Sequence, residues 1–533
     1  MTSITNRQMQ APHQTCSEII QSIQALVPVG APVPESEPLL DQLRSLTQAL
    51  IKEYEASGRL QDDPFKDVWH RPLTLYKNEV CQKLHGKTVL VTGGEGFVGS
   101  FLINKLLGLG VKRIISVDNV RCQNDPAAQP IPGTAENVCL YPLDVRNYEG
   151  LKQIFAAEKP EIVFHLAAIR IPGEAEKIVL ETVTTNIFGT QNIIRLCEEY
   201  QVEQCIFSST GKASRYWTAE VYAATKKVNE WLFAHAVQTG TVQYGMVRFT
   251  HMLNNSSMYE QISDKVERGC LINIHAPERY VVGQNVGEAA HLLLNALVFS
   301  ERDRLKFILV RNLGWPTESL EVALYKIKES GKNLPIYFQG TPLGYGESFF
   351  LGQVDWNHQT EINTLINALE TENCSAISST GEMIVSEIIP FSSETLFAEL
   401  AELKAMISDP AASDKDVKWR LAELVNQVSL TTFRQASVKR SLEILRWGLN
   451  LRLYERGEYN LTPYQPFIEL VVQSLSDRVD RAALDACKMS LDEFGRAIAA
   501  IKTFPTLAEA AAQLENTLCR LQEEVEQSLG KAA

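Results

Sequence analysis

The stretch that decides the fold is GKTVLVTGGEGFVGSFLINKLL, residues 86–107. Its apolar, β-branched first part, residues 87–92, predicts a buried strand, and an amphipathic helical pattern follows the glycines. Glycines in this spacing permit a tight turn, close approach of the backbone to a pyrophosphate, and close packing of helix on strand. The turn glycines are Gly93, Gly94, Gly96 and Gly99. The stretch therefore predicts a dinucleotide-binding strand, turn and helix.

The second predicted strand, RIISVD, supports this interpretation because it ends in Asp118, nineteen residues after Gly99. A carboxylate there can accept hydrogen bonds from both hydroxyls of an adenosine ribose and would repel a 2′-phosphate. The sequence thus predicts NAD rather than NADP as the cofactor. Arg121 weakens this preference without reversing it.

Strand and helix patterns continue to alternate beyond this stretch, in EIVFHLAA, QCIFSS and YGMVRF. Such alternation predicts an α/β fold of the Rossmann type, a doubly wound parallel sheet with a small substrate lobe. Helical patterns at both ends of the chain predict an N-terminal helical segment and a C-terminal α-helical domain. The expected segments are 1–85 (helical accessory segment), 86–250 (NAD-binding domain), 251–356 (substrate-binding lobe), 357–391 (linker region) and 392–533 (helical domain).

Composition excludes several classes of protein. The 533 residues carry 51 Lys plus Arg against 64 Asp plus Glu, a net charge of −13 without a basic block, which argues against nucleic acid or a membrane surface as partner. No apolar run is long enough to cross a bilayer, and the N-terminus lacks a signal-peptide pattern, so we expect a cytoplasmic protein. The ten cysteines are scattered without a metal-ligand spacing, so no metal site is predicted.

A Tyr-x-x-x-Lys pair, Tyr222 and Lys226, provides the candidate catalytic chemistry. One helical turn brings the ammonium close to the phenol, and a nearby positive charge favours phenolate. A lowered phenol pKa would make Tyr222 a usable base. The alternative is a tyrosine and a lysine on a solvated helix face.

Several further motifs together resemble the extended short-chain dehydrogenase/reductase family over about residues 86–356. They are TGGEGFVGS, LDVRN, FHLAA, TNIFGTQN, FSSTGKAS and YAATK. The STGKA segment is similar to the STDKA segment of the polysaccharide-biosynthesis branch, which includes UDP-N-acetylglucosamine 4,6-dehydratases. The resemblance implies Thr210, Lys212, Tyr222 and Lys226 as catalytic residues, with Ser209 as the fallback for Thr210 and with Lys212 removing a proton beside a sugar ketone.

The resemblance also implies binding residues. Substrate contacts fall on Thr210, His251 and Arg279. Cofactor contacts fall on Gly93, Gly96, Phe97, Val98, Gly99, Asp118, Asn119, Asp144, Val145, Leu166, Ala167, Ala168, Asn186, Tyr222 and Lys226.

Two departures from the branch concern the substrate site. Gly211 stands where the dehydratases have Asp, so the acid that would protonate a leaving hydroxyl is missing unless Tyr216, Glu220 or a water substitutes. The segment TPLGYGES, residues 341–348, stands where the branch usually has Arg-Pro-Gly-Glu-Lys, so an arginine clamp for a nucleotide diphosphate is lost.

The expected function is that of an NAD-dependent nucleotide-sugar dehydratase or epimerase that works through a transient keto intermediate. Two alternatives remain open: an NAD-dependent ketoreductase or alcohol dehydrogenase acting on a non-sugar metabolite, and an NAD-bound scaffold without catalysis. The predicted helices near residues 184–200 and 220–236 resemble a family dimer interface, which implies a homodimer. Leu196, Trp231 and Leu232 could equally be ordinary core residues.

Overall fold

The structure is a computed structural model that describes residues 15–119, 137–253, 257–357, 362–374 and 376–532. By their internal contacts the residues form two units. Unit 1 comprises residues 1–71, 251–285 and 313–342, and unit 2 comprises residues 72–250, 286–312 and 343–533. In the described ranges, no helix is both long enough and apolar enough to span a bilayer.

Most strands are short and buried. They are β1 (Thr88–Thr92), β2 (Arg113–Asp118), β3 (Val138–Pro142), β4 (Ile162–His165), β5 (Gln204–Thr210), β6 (Gln243–Phe249), β7 (His251–Met252), β8 (Ile272–Ile274), β9 (Tyr280–Val281), β10 (Gly283–Gln284), β11 (Lys306–Val310), β12 (Thr317–Glu318), β13 (Ile336–Phe338), β14 (Ala376–Ile377) and β15 (Met383–Glu387).

Helices make up most of the remaining structure. They are α1 (Cys16–Leu26), α2 (Glu37–Ala56), α3 (Lys66–His70), α4 (Lys77–Leu84), α5 (Phe97–Leu107), α6 (Tyr148–Glu158), α7 (Pro172–Ala175), α8 (Val179–Val183), α9 (Gly189–Glu199), α10 (Val221–Thr239), α11 (Ser257–Arg268), α12 (Val286–Phe299), α13 (Ser319–Ser330), α14 (Ala368–Cys374), α15 (Ser393–Ser408), α16 (Asp414–Gln435), α17 (Val438–Leu449), α18 (Leu451–Tyr454), α19 (Gln465–Leu475), α20 (Arg481–Ala486), α21 (Leu491–Ile501) and α22 (Ala508–Ala532). A π-helical turn, Thr184–Phe188, joins α8 to α9.

The core of unit 2 is a nine-stranded sheet in the order β14-β15-β11-β6-β5-β4-β1-β2-β3. The seven strands from β3 to β11 are parallel, whereas β15 and β14 add to the edge in antiparallel fashion. The order reverses between β1 and β4, so right-handed crossovers place α5 and α9 on opposite faces. The predicted Rossmann-type doubly wound sheet is confirmed.

This topology brings the predicted site residues of unit 2 to one edge of the sheet. The carboxyl ends of parallel strands share an edge, and the crevice at the point of reversal is where such sheets bind ligands. Gly93 follows β1, Asp118 ends β2, Leu166 follows β4 and Thr210 ends β5.

Unit 1 contains the N-terminal helices and part of the predicted substrate lobe, residues 251–285 and 313–342, whereas residues 286–312 and 343–356 of that lobe belong to unit 2. The strands of unit 1 form three pairs, β7 with β10, β8 with β13 and β9 with β12. Ile23 of α1 and Leu50 of α2 lie in the same apolar core as Leu324 of α13. An amphipathic helix must bury its apolar stripe, and these two helices bury theirs in the core of unit 1.

The C-terminal part of the chain also contributes to unit 2. The stretch predicted as a linker, residues 357–391, supplies α14 and the two antiparallel edge strands β14 and β15. From α15 onward the described chain is helical, as the sequence predicts. The helices α15 and α16 share an apolar core with α8 and α10, and α17 to α22 build a second core.

A buried ion-pair network joins the sheet to this C-terminal part. Arg248 on β6 donates two hydrogen bonds to Glu230 of α10, at 2.9 and 2.7 Å, and two to Glu370 of α14, at 2.7 and 2.6 Å. It also donates to the Leu365 carbonyl, and Glu230 accepts from the Ser209 hydroxyl. All three charged side chains are at most 4% exposed, so each depends on the others for its polar partners.

Replacement of the network's central cation should be severely destabilising. Arg248→Ala leaves two carboxylates buried without their partner, which we expect to cost about 3–5 kcal/mol of unfolding free energy in urea. The control is Arg481→Ala, whose pair with Asp485 is 48% and 60% exposed and should contribute about 0.5 kcal/mol or less. Equal losses in the two variants would contradict this account.

Candidate active site

The glycine turn after β1 has the geometry of a phosphate cradle. Gly93 has a φ of +72°, and a Cβ on it would lie 2.7 Å from the Ala167 nitrogen. A Cβ on Gly99 would lie 2.0 Å from the Gly93 oxygen. Gly96 caps the N-terminus of α5 and offers no side chain that would satisfy the first N–H groups of the helix. Backbone N–H groups at a helix N-terminus are suited to bind phosphate oxygens.

Asp118 lies beside this turn, as the sequence predicts for a ribose-binding carboxylate. It is buried at the end of β2, and its Oδ2 accepts a hydrogen bond of 2.9 Å from the Glu95 N–H. Burial, together with the Asp118 charge, raises the pKa of Glu95. Arg121, which bears on the choice between NAD and NADP, lies outside the described residues.

Asp144 and Asn119 lie close together near the end of β2. Burial alone would raise the pKa of Asp144, but hydrogen bonds from Arg146 and Asn119 outweigh it and hold that pKa below its usual value. Phe97 and Val98 form the first turn of α5, and Val145 packs under Gly189, where a Cβ would lie 2.7 Å from it. Cofactor contact by these residues stays a prediction.

Asn186, in the π-helical turn, connects the loop after β4 to the helix that carries the Tyr-Lys pair. Its Oδ1 accepts from the Ile169 N–H at 2.8 Å, and its Nδ2 donates to Thr225 of α10 at 3.0 Å. It is fully buried, and its backbone oxygen accepts from Asn229. Asn186 therefore fixes the position of the loop that begins with Leu166, Ala167 and Ala168.

Thr210 and Tyr222 are brought together by the end of β5 and the first turn of α10. Burial raises the pKa of Tyr222 to about 12, although the Thr210 hydroxyl and the Arg170 charge act in the opposite direction. Ser209 is turned away and donates to Glu230 at 2.6 Å, because successive strand residues point to opposite faces. Of the two hydroxyls, Thr210 is the one beside Tyr222.

Lys226 lies one helical turn beyond Tyr222 and is held by a carbonyl of β5. Its Nζ donates to the Ser208 carbonyl at 2.8 Å and lies 4.6 Å from the centre of the Phe207 ring. Burial lowers the pKa of Lys226 to about 7. Burial dominates the pKa at both side chains, and a lowered phenol pKa through this lysine stays a prediction.

Lys212 is held in a cluster of charges that includes the loop before residue 348. Its Nζ lies 2.5 Å from Oε2 of Glu220, donates to the Gly344 carbonyl at 2.9 Å, and lies 5.2 Å from the Tyr345 ring centre. Burial lowers the pKa of Lys212, with the Arg215 charge adding to the effect and the Glu220 charge opposing it. The candidate base is thus paired with a buried carboxylate.

Glu347 connects the same loop to the helix that bears Tyr222. Its carboxylate accepts from the Thr218 hydroxyl and from the N–H groups of Ala219 and Glu220, the residues just before α10. It also pairs with Arg215. Sequence reasoning did not assign Glu347 or Tyr345 a role, although both lie in the segment where it noted the departure from the family pattern.

Gly211, where the dehydratases have Asp, faces an apolar side chain. A Cβ there would lie 2.1 Å from Cδ2 of Leu365, which is buried. The backbone φ of Gly211 is not positive, so space and not backbone strain selects glycine. Tyr216, one proposed substitute for the missing acid, is buried in the C-terminal helical core, whereas Glu220 lies at Lys212.

The two remaining predicted substrate residues belong to unit 1. His251 pairs through β7 with β10, and Arg279 donates to the Thr341 hydroxyl at 3.1 Å. Thr341 opens the segment that replaces the family's arginine motif. Substrate contact by His251 and Arg279 stays a prediction.

Comparisons with known proteins show which families and proteins the chain is similar to. The family described as "Polysaccharide biosynthesis protein" matches residues 89–348. The chain is 33% identical to the bifunctional protein GAL10 of Candida maltosa over 122 residues, which are 23% of this chain and 80% of that one. It is 34% identical to the UDP-glucose 4-epimerase uge1 of Schizosaccharomyces pombe over 128 residues, 24% of this chain and 36% of that one.

A longer match is to the probable polysaccharide biosynthesis protein EpsC of Bacillus subtilis, 25% identical over 292 residues, 53% of this chain and 48% of that one. The chain spans about half the length of EpsC. The doubly wound sheet, the glycine turn and the Thr-Tyr-Lys constellation define a short-chain dehydrogenase/reductase. With the GAL10 match, the chain belongs to the extended short-chain dehydrogenase/reductase family.

The contact between Gly211 and Leu365 predicts coupled substitutions. Gly211→Ala should cost about 1–3 kcal/mol through overpacking, and Leu365→Ala about 2–5 kcal/mol through a cavity. The double variant should lose at least about 1 kcal/mol less than the sum, measured by urea unfolding, because the new methyl group fills the space that leucine leaves. Gly346→Ala, where a Cβ meets nothing within 4 Å, is the control. Strict additivity would contradict the contact.

Proposed function

We propose that the protein is an NAD-dependent enzyme that modifies a nucleotide-activated sugar by transient oxidation at a ring carbinol, followed by epimerisation or elimination beside the ketone. The observation that carries this proposal is the placement of Thr210 at the end of β5, beside Tyr222 of α10, on the same sheet edge as the glycine turn and Asp118. The sugar class is supported by relatives named as a polysaccharide biosynthesis protein and a UDP-glucose 4-epimerase.

NAD fits the residues that are present. Gly93 and Gly99 leave a cradle that any Cβ would fill, the N-terminus of α5 opens beside it, and Asp118 supplies the ribose acceptor. When bound, NAD would supply the oxidising power that makes the C–H bond next to the new carbonyl acidic.

Tyr222 is the group that would accept the substrate hydroxyl proton. Thr210, whose hydroxyl lowers the pKa of the phenol, would hold the same substrate oxygen. Because burial raises the pKa of Tyr222 to about 12, its action as a base at neutral pH requires a lower pKa in the loaded site. Lys226, with its pKa lowered to about 7, would support this when it is protonated and close to the bound ligands.

Lys212 and Glu220 form the second proton-transfer site. A lysine whose pKa is lowered by burial can remove a carbon-bound proton, and a carboxyl group 2.5 Å away can take up or return that proton. Glu220 could thereby stand in for the acid that Gly211 cannot provide. Elimination needs this acid at the leaving hydroxyl, and epimerisation needs a proton delivered to the opposite face of the enolate, so both reactions remain within the proposal.

The cofactor assignment is tested by binding. In Gly99→Ala the new methyl would lie 2.0 Å from the Gly93 oxygen, so the turn must shift and calorimetric NAD affinity should fall at least about tenfold, roughly 1.4 kcal/mol. Gly108→Ala, at the other end of α5, places its Cβ 3.5 Å from the Lys105 oxygen and should bind normally. Equal affinities would reject the cradle. A preference for NADP over NAD would reject the role of Asp118.

The chemistry is tested by incubation with a panel of UDP- and other nucleotide sugars in D2O, followed by mass spectrometry. We expect deuterium incorporation with no net NADH. Tyr222→Phe should keep NAD binding and lose about 100- to 10,000-fold in turnover, and Lys212→Ala should lose deuterium incorporation while sugar oxidation remains detectable in a single turnover. The exposed Lys177→Ala is the control. Full exchange in Lys212→Ala would remove the lysine from the mechanism, and net NADH production would favour a simple dehydrogenase.

A further inference from the structure

The helix that carries Tyr222 has a second apolar face, and this chain covers it with its own C-terminal helices. Across α10 that face comprises Val221, Ala224, Val228, Trp231 and Leu232. Each of these side chains is at most 4% exposed. They repeat at intervals of three and four residues, the spacing of one helical stripe.

The covering element is the pair α15 and α16, joined by residues 409–413. A connection this short makes two helices antiparallel neighbours. Their inward side chains share one apolar core with α8, the π-helical turn and α10. On α15 and α16 they are Leu396, Leu400, Leu403, Val417, Leu421, Leu424, Val425 and Val428.

Polar contacts fix the position of this pair. The Asp414 carboxylate, at the start of α16, accepts from the N–H groups of Val179 and Leu180 at 3.2 and 3.1 Å. Lys418 lies 2.5 Å from Oε2 of Glu176, and Oε1 of the same glutamate accepts from the Val221 N–H at 2.8 Å. A chain of contacts therefore runs from α16 to the residue next to Tyr222.

We propose that the helix pair α15–α16 takes the place of a second copy of the protein, completing a four-helix arrangement within one chain and supporting the first turn of α10. The homodimer expected from the sequence would use the same helix faces, whose apolar residues are already buried by residues 393–435. A two-fold interface needs a self-complementary exposed patch, and α10 offers none. The inference rests on contacts inside unit 2 and does not depend on the proposed chemistry.

Hydrogen exchange of the full-length protein at two concentrations about a hundredfold apart tests the proposal. If the chain covers its own helix, peptides from residues 221–239 are strongly protected to the same degree at both concentrations. Protection that rises with concentration would show that a second copy covers the face and would overturn the proposal. Weak protection at both concentrations would also overturn it, because the face would then be open.

A matched pair of variants on α16 identifies the covering helix. Leu421→Ala removes a side chain that is 1% exposed and should speed exchange in residues 221–239, whereas Trp419→Ala removes one that is 60% exposed and should not. Equal effects would contradict the assignment. If Leu421→Ala does not fold, hydrogen exchange of the wild-type protein at the two concentrations still tests the proposal.

Cross-linking of mixed isotopes separates cover by the same chain from exchange between chains. Equal amounts of ¹⁴N- and ¹⁵N-labelled protein are treated with a short amine-reactive reagent, and Lys418–Lys177 cross-links are examined, since Lys177 neighbours Glu176 and is exposed. The proposal is supported if every Lys418–Lys177 cross-link joins two peptides that carry the same nitrogen isotope. Mixed-isotope links between these two lysines would overturn it.

Discussion

The arrangement of the site depends on one buried arginine. Arg248 binds Glu230 on one side and Glu370 on the other, and Glu230 also accepts the Ser209 hydroxyl. The end of β5, the helix that bears Tyr222 and the segment after residue 361 are thereby joined at a single point. Burial of a charge is costly unless every polar partner is in place, so such a network tolerates only one arrangement of the three elements. Thr210 follows Ser209 directly, and its position beside Tyr222 is a result of this constraint.

The features that could be predicted from the sequence are those that depend on residues close together in the chain. The glycine turn, Asp118 and the Tyr222–Lys226 spacing each express a local requirement: a positive φ, a strand end, one helical turn. Their convergence at one edge then follows from the topology of a parallel sheet. The reason for a glycine at position 211 could not be predicted in this way. A Cβ there would clash with the side chain of Leu365, which is more than 150 positions away in the sequence.

Electrostatic environments were harder to predict than positions. The spacing alone suggests that the Lys226 charge lowers the pKa of Tyr222. In the structure, burial raises the pKa of Tyr222 and lowers the pKa of Lys226. A sequence shows which charges are neighbours and not how much water remains around them, and desolvation can outweigh a neighbouring charge. Lys212 shows the same limit, since Glu220 and the Gly344 carbonyl compensate its charge through contacts that only the folded loop creates.

The cover of α10 by α15 and α16 has an evolutionary consequence. In a two-fold interface a single substitution appears twice, so both sides of the contact must change together and remain complementary to themselves. When the two sides belong to different stretches of one chain, each can vary separately. Val228 and Trp231 on one side and Leu421 and Leu424 on the other are free to drift as ordinary core partners do. The composition of this face is therefore not bound by the self-complementarity that a two-fold contact would require.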